Sequence, residues 1–149
     1  MIHYFTGTGN SYFVASQLAA SLNLSLHALK EGPVEDRDPV VGIVFPVYFG
    51  DAPDFVIDAL EGLTFSGTPY LFAAATSGTS FGAAFKSIDN ALQKKGQRLI
   101  FAAHLAMVAN STPAVRHHIA YAYEKLVTAE KALPIPVSYT HLTLPTNSR

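Results

Sequence analysis

The sequence has no cysteine, little charge and no long apolar run, and each absence excludes a class of protein. Without cysteine, the chain can form no disulfide, thiolate metal site or iron–sulfur site of its own, and it has no thiol nucleophile. Charged residues make up 14% of the chain and give a net charge of −1, with no basic cluster dense enough to indicate nucleic-acid binding. The longest apolar run, around Phe101–Ala109, is interrupted by His104, whereas a membrane span needs about 18 uninterrupted apolar residues.

Signals for export and for metal binding are also missing. No Lys or Arg precedes an apolar stretch near Met1, so we predict no signal peptide and expect a cytoplasmic protein. The adjacent His117 and His118 are the nearest approach to a metal-ligand pair. Because adjacent residues on a helix point about 100° apart, they cannot easily share one ion, and we predict no metal site.

What the sequence does contain is a regular alternation of predicted strands and helices. Its 149 residues, 49% of them hydrophobic, suit one domain with one sizeable core. Apolar, β-prone runs predict five strands, at Ile2–Phe5, Leu24–Leu29, Val40–Phe45, Tyr70–Ala75 and Leu99–Leu105. Apolar residues at helical spacing predict four helices, at Asn10–Leu22, at Asp54–Leu63, around Phe85, Ile88 and Leu92, and at Val115–Leu133 after an N-cap at Thr112 and a proline at Pro113.

This alternation predicts an α/β fold in which a parallel sheet is covered by helices on both faces. One helix is missing from the expected pattern, between the second and third strands. The segment Glu31–Pro39 replaces it; because this segment is charged and carries two prolines and a glycine, we predict a loop there.

The first strand is followed by a glycine loop that leads directly into a helix. The loop reads Thr6-Gly7-Thr8-Gly9-Asn10-Ser11. Glycines let backbone N–H groups turn inward, and the start of the helix adds free N–H groups and the positive end of a dipole. The hydroxyls of Thr6, Thr8 and Ser11 and the amide of Asn10 can add four side-chain donors. The loop therefore predicts a phosphate site, with a glycine turn that binds no ligand as the alternative.

The absence of charge around this loop indicates which phosphate it would bind. No Lys or Arg occurs before Lys30, and no Asp or Glu occurs before Glu31. A nucleoside triphosphate needs a P-loop lysine, and a dinucleotide fold needs GxGxxG, whose third glycine position is taken here by Tyr12. A single terminal phosphate held by neutral donors remains, and it suits a mononucleotide.

Two further loops follow strands at the edge where open α/β sheets bind ligands. Pro46-Val47-Tyr48-Phe49-Gly50-Asp51 follows the third strand and places two aromatic residues beside a glycine. Thr76-Ser77-Gly78-Thr79 follows the fourth strand. Aromatic side chains can cover a flat ring, and exposed backbone N–H groups can meet its polar edge. Together the three loops predict a site for a mononucleotide that carries a flat ring.

The loop Thr6–Ser11 is similar to the phosphate-binding signature of flavodoxins, and the chain resembles that family over about residues 1–133. The segments Tyr4–Ser11 and Val44–Phe49 resemble, more narrowly, the flavodoxin part of bacterial proteins that fuse flavodoxin to a two-cluster ferredoxin. The resemblance implies a three-layer α/β sandwich, with a five-stranded parallel sheet in the order 2-1-3-4-5 and a second helix that is reduced or absent.

The resemblance also implies an FMN cofactor and the residues that would hold it. Carried over by position, residues 6–11 would bind the phosphate, residues 46–50 would flank the isoalloxazine ring, and residues 76–79 would contact its pyrimidine edge. The chain departs from the family in having no tryptophan, which is often the stacking residue of free flavodoxins, so Tyr48 or Phe49 must substitute for it. It is also far less acidic than free flavodoxins typically are.

Three functions are compatible with these features. The first is an FMN-dependent electron-transfer module that acts on a redox partner protein or domain, for which a fused ferredoxin is a candidate. The second is an NAD(P)H-dependent FMN or quinone reductase on the same fold; His104 and His117 could act there as acid–base groups, although structural roles suit both better. The third is a non-redox binding module without flavin. Because no second nucleotide site is evident, we favour the carrier, and we expect a monomer or a weak homodimer.

Acidic residues cluster just after the predicted ring-flanking loop. Asp51, Asp54 and Asp58 lie there, and no Lys or Arg occurs between Tyr48 and Lys86. Negative charge beside a flavin makes the flavin harder to reduce. The sequence therefore predicts a carrier that works at low potential.

The last residues of the chain break the pattern of strands and helices. Val137–Arg149 has no helical period and resembles a translated transposase-type sequencing adaptor, with a natural flexible tail as the alternative. We therefore expect one domain at residues 1–133 and a tail at 134–149 that is not native from Val137 onward. The native protein would then continue past Pro136, where a run of cysteines would indicate an iron–sulfur domain.

Overall fold

A computed structural model describes residues 1–108, which form seven strands and three helices. In chain order these elements are β1 (Ile2–Tyr4), α1 (Asn10–Leu22), β2 (Leu26–Ala28), β3 (Val34–Asp36), β4 (Val40–Pro46), α2 (Asp54–Gly62), β5 (Leu63–Phe65), β6 (Tyr70–Ser77), α3 (Ala84–Gln93) and β7 (Phe101–Ala106). Five of the strands form one parallel sheet in the order β2-β1-β4-β6-β7. Counting only the strands of this sheet, the order is 2-1-3-4-5, which confirms the predicted α/β architecture.

The core lies on both faces of this sheet because buried strands alternate their side chains between the two faces. On one face, Ile2 of β1 and Val44 of β4 pack against Val14 and Leu18 of α1. On the opposite face, Ile43 and neighbouring strand residues pack against α2 and α3. The continuous β-branched run of β4 is therefore explained by burial of both its faces. Helices cover both faces of the sheet, as the sequence predicts.

The segment between β2 and β4 differs from the prediction in one respect. Within residues 29–39 there is no helix, as predicted, but Val34–Asp36 forms β3 rather than part of a loop. β3 pairs in parallel with β5. β5 begins at Leu63, which was predicted as the last residue of the helix Asp54–Leu63. The prediction of a loop over all of Glu31–Pro39 is wrong because a strand of three residues depends on its distant partner and leaves no periodic signal.

Several predictions concern residues outside the described range. They are the helix at Val115–Leu133 with Thr112 and Pro113, the pair His117 and His118, the boundary between residues 133 and 134, and the tail Val137–Arg149. Among residues 1–108, no helix is long and apolar enough to cross a membrane.

Candidate functional site

Three loops meet at the carboxyl edge of the main sheet and enclose a pocket. They follow β1, β4 and β6, which are neighbours in the sheet. The pocket has a volume of about 300 Å³. It is lined by Thr6, Gly7, Thr8, Asn10, Ser11, Pro46, Val47, Tyr48, Thr76, Ser77, Gly78 and Val108. The topology thus brings together the three segments that the sequence predicts as one site.

The glycine loop presents the start of α1 to this pocket. Gly9 is the N-cap residue and has a left-handed backbone with φ of 100°, which glycine adopts without a steric penalty. No side chain among the described residues caps α1. The first helical hydrogen bond runs from the N–H of Phe13 to the carbonyl of Gly9 (2.9 Å), so the N–H groups of residues 10–12 precede it. These groups, with the helix dipole, favour an anion at this end.

Hydrogen bonds within the loop and to neighbouring strands fix its shape. The N–H of Gly9 donates to Oγ1 of Thr6 at 2.9 Å. The side-chain amide of Asn10 donates to the carbonyl of Val108 at 2.9 Å, and this ties the loop to the residues after β7. Ser11 and Thr76, both buried, share a hydrogen bond of 2.8 Å between their hydroxyl oxygens.

These bonds occupy some of the polar atoms that the sequence predicts as phosphate donors. The Asn10 amide retains one of its two N–H groups, because the other donates to Val108. One of the hydroxyl protons of Ser11 and Thr76 lies between their two oxygens and is used within the protein. Thr6 uses its oxygen as an acceptor and keeps its hydroxyl proton. Thr6 and Asn10 therefore each keep a side-chain donor for a phosphate, beside the backbone N–H groups at the start of the helix.

The loop after β4 is a tight turn with an exposed aromatic residue at its tip. Tyr48 and Asp51 exchange two backbone hydrogen bonds of 2.9 and 3.0 Å across the turn. Phe49 and Gly50 at its corner have φ values of 52° and 80°, which is the sign that a type I′ turn requires at both positions. Phe49 is fully exposed. A positive φ is uncommon for a bulky residue and stores strain.

Tyr48 lies across the mouth of the glycine loop. Its hydroxyl packs directly against Gly7, where any larger side chain would overlap it. Its ring also meets the ring of Phe5 edge to face, with a centroid distance of 6.4 Å. Tyr48 thereby connects the loop after β1 with the loop after β4.

The loop after β6 is fixed by a hydroxyl and an imidazole. Oγ of Ser77 lies 2.6 Å from the carbonyl oxygen of Ser80 and 2.7 Å from Nε2 of His104 on β7. Because a carbonyl can only accept, the Ser77 hydroxyl donates to Ser80, and Nε2–H of His104 donates to Ser77. The ring of Phe81 packs on the imidazole at 5.5 Å. His104 thus has a structural role in holding this loop.

The loops after β4 and β6 are also joined to each other. The N–H of Ala83 donates to the carbonyl of Gly50 at 2.8 Å. Gly82 lies against the same carbonyl, and a Cβ atom at this position would overlap it. The turn that carries Phe49 is therefore docked on the segment that leads into α3.

Most of the predicted site residues line the pocket, and a few do not. Gly9, Phe49, Gly50 and Thr79 are not among the lining residues, since Gly9 shapes the helix start and Gly50 docks the turn. Val108 lines the pocket although the sequence analysis did not select it. It follows β7 at the same edge of the sheet, so the rule that selected the other loops could have found it.

Comparison with known proteins gives a likeness of fold. No protein-family model and no curated protein matches the chain. The chain is similar to a protein from Bacteroides uniformis assigned as a flavoprotein, with a TM-score of 0.59, 17% identity, and coverage of 71% of this chain and 88% of that chain. The chain is also similar to a short-chain flavodoxin associated with a bacterial microcompartment, with a TM-score of 0.51, 18% identity, and coverage of 86% of this chain and 96% of that chain. A third similar structure is a flavodoxin from Streptococcus pneumoniae, with a TM-score of 0.50, 16% identity, and coverage of 85% of this chain and 97% of that chain. The chain therefore has a flavodoxin-like fold.

Proposed function

We propose that this chain is an FMN-binding electron-transfer domain. The observation that carries the proposal is the pocket in which an uncapped helix start and a neutral glycine loop meet an aromatic turn. The residues present fit FMN because each part of the cofactor has a matching surface. FMN would supply the redox chemistry, and the chain would bind it, orient it and set the charge around it.

The phosphate would lie against the backbone N–H groups at the start of α1. Residues 1–29 contain no Lys, Arg, Asp or Glu, so these N–H groups, the hydroxyls and the Asn10 amide provide the stabilisation. Tyr48 would cover one side of the flavin ring, and the exposed Phe49 offers a second aromatic face on the same turn. The backbone of residues 76–78 would meet the polar edge of the ring.

The charge near the aromatic turn supports a low reduction potential. Asp51 ends the turn and Asp54 begins α2, while no Lys or Arg occurs between Tyr48 and Lys86. Negative charge at this place disfavours adding electrons to a nearby flavin. We propose that the electrons pass to a partner protein or domain held close to this one, with a ferredoxin as the candidate.

The phosphate assignment is tested by comparing FMN with riboflavin, which differs from it only in lacking the phosphate. Fluorescence quenching of each flavin by the purified chain gives its affinity. We expect FMN to bind at least 100-fold more tightly, since several hydrogen bonds to a charged acceptor, each worth about 1.5–3 kcal/mol, are lost with riboflavin. Equal affinities would contradict the assignment. Steady-state oxidation of NADPH by the FMN-loaded chain alone would favour the reductase instead.

A further inference from the structure

A second cavity lies on the opposite side of β1 from α1, apart from the pocket described above. It has a volume of about 230 Å³. Its walls come from β1 and β2, from the segment 30–35, and from Ala59 and Leu63 at the end of α2 and the start of β5. This is the region in which residues 29–39 form no helix. The small sheet of β3 and β5 closes the space only in part, so a cavity is left beside the main sheet.

A buried histidine and a buried aspartate meet at the wall of this cavity. Nε2 of His3 lies 2.7 Å from Oδ2 of Asp36, and the two side chains are 5% and 0% exposed. His3 belongs to the central sheet, whereas Asp36 belongs to the small sheet. The second oxygen of Asp36 accepts the N–H of Asp38 at 2.9 Å. Both carboxylate oxygens of Asp36 therefore have a donor, and the His3 ring is held in one orientation.

The hydrogen bond to Asp36 determines which ring nitrogen of His3 is free to accept. Burial, the largest influence, lowers the pKa of His3, although the hydrogen bond with Asp36 opposes this, and the lowered pKa favours the neutral imidazole. The carboxylate can only accept, which places the proton of the neutral ring on Nε2. Nδ1 then carries a lone pair.

This lone pair belongs to a side chain that lines the cavity. Within residues 1–108, every fully buried side-chain nitrogen or oxygen has a hydrogen-bond partner. The partner of the His3 side chain is Asp36, through Nε2. Because Asp36 engages Nε2, Nδ1 is the ring nitrogen left for a ligand in the cavity that His3 lines. The cavity wall thus offers one positioned hydrogen-bond acceptor.

The remaining walls and the volume restrict the class of ligand. Leu29, Val34, Ala59 and Leu63 make most of the inner surface apolar, and the exposed Lys30 and Glu35 lie among the lining residues. An apolar cavity of about 150 Å³ accommodates benzene, and pockets for drug-sized ligands begin at about 300 Å³. A volume of about 230 Å³ lies between these limits. It suits one aromatic ring with a small substituent.

We propose that this cavity binds a small single-ring aromatic molecule that carries one hydroxyl donor, a ligand of the phenol class. The ring would lie among the four apolar side chains, and the hydroxyl would donate to Nδ1 of His3. Asp36 would act as a positioning residue, since it fixes the orientation and the tautomer of the imidazole. The site is independent of flavin binding.

The proposal is tested with phenol and toluene, which have nearly the same shape but differ in the hydroxyl. Amide resonances of the ¹⁵N-labelled chain are followed during titration with each compound at pH 7.5. We expect phenol to bind saturably and to shift the amides of Leu29, Ala59 and Leu63, while those of Thr8 and Gly78 remain unchanged. Toluene should bind at least fivefold more weakly, because it cannot use the acceptor.

Two variants separate the acceptor from the cavity itself. Replacing both partners, as in His3→Leu with Asp36→Leu, leaves neither side chain of the buried pair without the other and should reverse the order, so that toluene binds more tightly than phenol. The control His27→Gln changes an exposed histidine at the same cavity and should keep the preference for phenol. A wild-type chain that shows no saturable shift with phenol, or that binds toluene equally well, would overturn the proposal. Because the titration needs no flavin, a failure to bind phenol would leave the FMN assignment intact. A failure to bind FMN would likewise leave the phenol site intact.

Discussion

At the scale of single residues, the two most unusual environments are those of His3 and Phe49. His3 is a buried polar residue on β1, an interior strand of the main sheet, and it is accommodated by a buried carboxylate that comes from a different sheet. Phe49 is an apolar residue that is fully exposed and has a left-handed backbone. Burial of an imidazole and a positive φ at a bulky residue both cost free energy, so substitutions at the two positions should change the stability of the fold.

The buried His3 gives the stability a dependence on pH. Its pKa in the folded chain is lowered, chiefly by burial, from its ordinary value of 6.5. Below that value the unfolded chain binds a proton that the folded chain does not, so the free energy of unfolding falls as the pH falls, by at most about 1.4 kcal/mol per pH unit. We expect His3→Gln to remove this slope just below pH 6.5 in denaturant titrations, and exposed His27→Gln to retain it. Equal slopes in wild type and His3→Gln would contradict this explanation.

The strained Phe49 predicts opposite effects on stability and on flavin binding. Phe49→Gly relieves a positive φ of 52° without loss of packing, because the ring is exposed. The free energy of unfolding should therefore rise by about 1 kcal/mol. The same change removes an aromatic face and should weaken FMN binding. Asparagine also tolerates the left-handed region, so Phe49→Asn should likewise raise the stability and weaken FMN binding. A Phe49→Gly variant that loses stability, or that binds FMN as wild type does, would refute this prediction.

At the scale of secondary structure elements, the five strands of the main sheet and the three helices within residues 1–108 could be predicted, whereas the two strands of the small sheet could not. The run Val40–Phe45 is β-branched because β4 is buried on both faces, and Asn10–Leu22 repeats apolar residues along one helix face. β3 and β5 have three residues each, and they exist because each pairs with the other across the sequence. The three loops of the site could be predicted because the strand order brings them to one edge of the sheet. The hydrogen bond from Asn10 to Val108 could not be predicted, because it depends on the tertiary structure.

The docking of the aromatic turn on the loop after β6 can be tested at Gly82. Gly82→Ala would place a Cβ against the Gly50 carbonyl at a φ of 51°. Gly67→Ala is the matched control, since Gly67 also has a positive φ (82°) but has open space around it. Both variants should lose about 1–3 kcal/mol of stability through backbone strain, and Gly82→Ala should lose more because its Cβ would also overlap the Gly50 carbonyl. FMN affinity should fall only in Gly82→Ala, as measured by fluorescence titration, and equal affinities in the two variants would show that docking does not shape the site.

At the scale of the whole molecule, the balance of charge argues against long-range steering. The chain has 11 acidic and 10 basic residues, so its overall field is weak. A free shuttle gains encounter rate from a strong field of one sign, whereas a tethered module gains it from a high effective concentration. The near balance of charge in this chain fits the proposed tethered module.

The weak overall field predicts that the rate of electron transfer to an external acceptor depends only weakly on salt. Reduction of an external cytochrome by the FMN-loaded chain should change less than about threefold as ionic strength rises from 0.01 to 0.5 M, over which the Debye length falls from about 30 Å to below 8 Å. Stopped-flow absorbance measures this rate. A steep fall with salt would reveal long-range steering and would refute the tethered module.

The central claim, that a neutral loop holds a flavin phosphate, is tested most directly by ³¹P NMR of the FMN-loaded chain. A free phosphate monoester titrates near a pKa of about 6. Hydrogen-bond donors favour its charged form and lower this pKa. We predict that the resonance of bound FMN stays in one position between about pH 5 and 8 and is displaced in Thr8→Ala, but not in the distant control Thr68→Ala. A bound resonance that titrates as free FMN does would place the phosphate outside the loop and contradict the account.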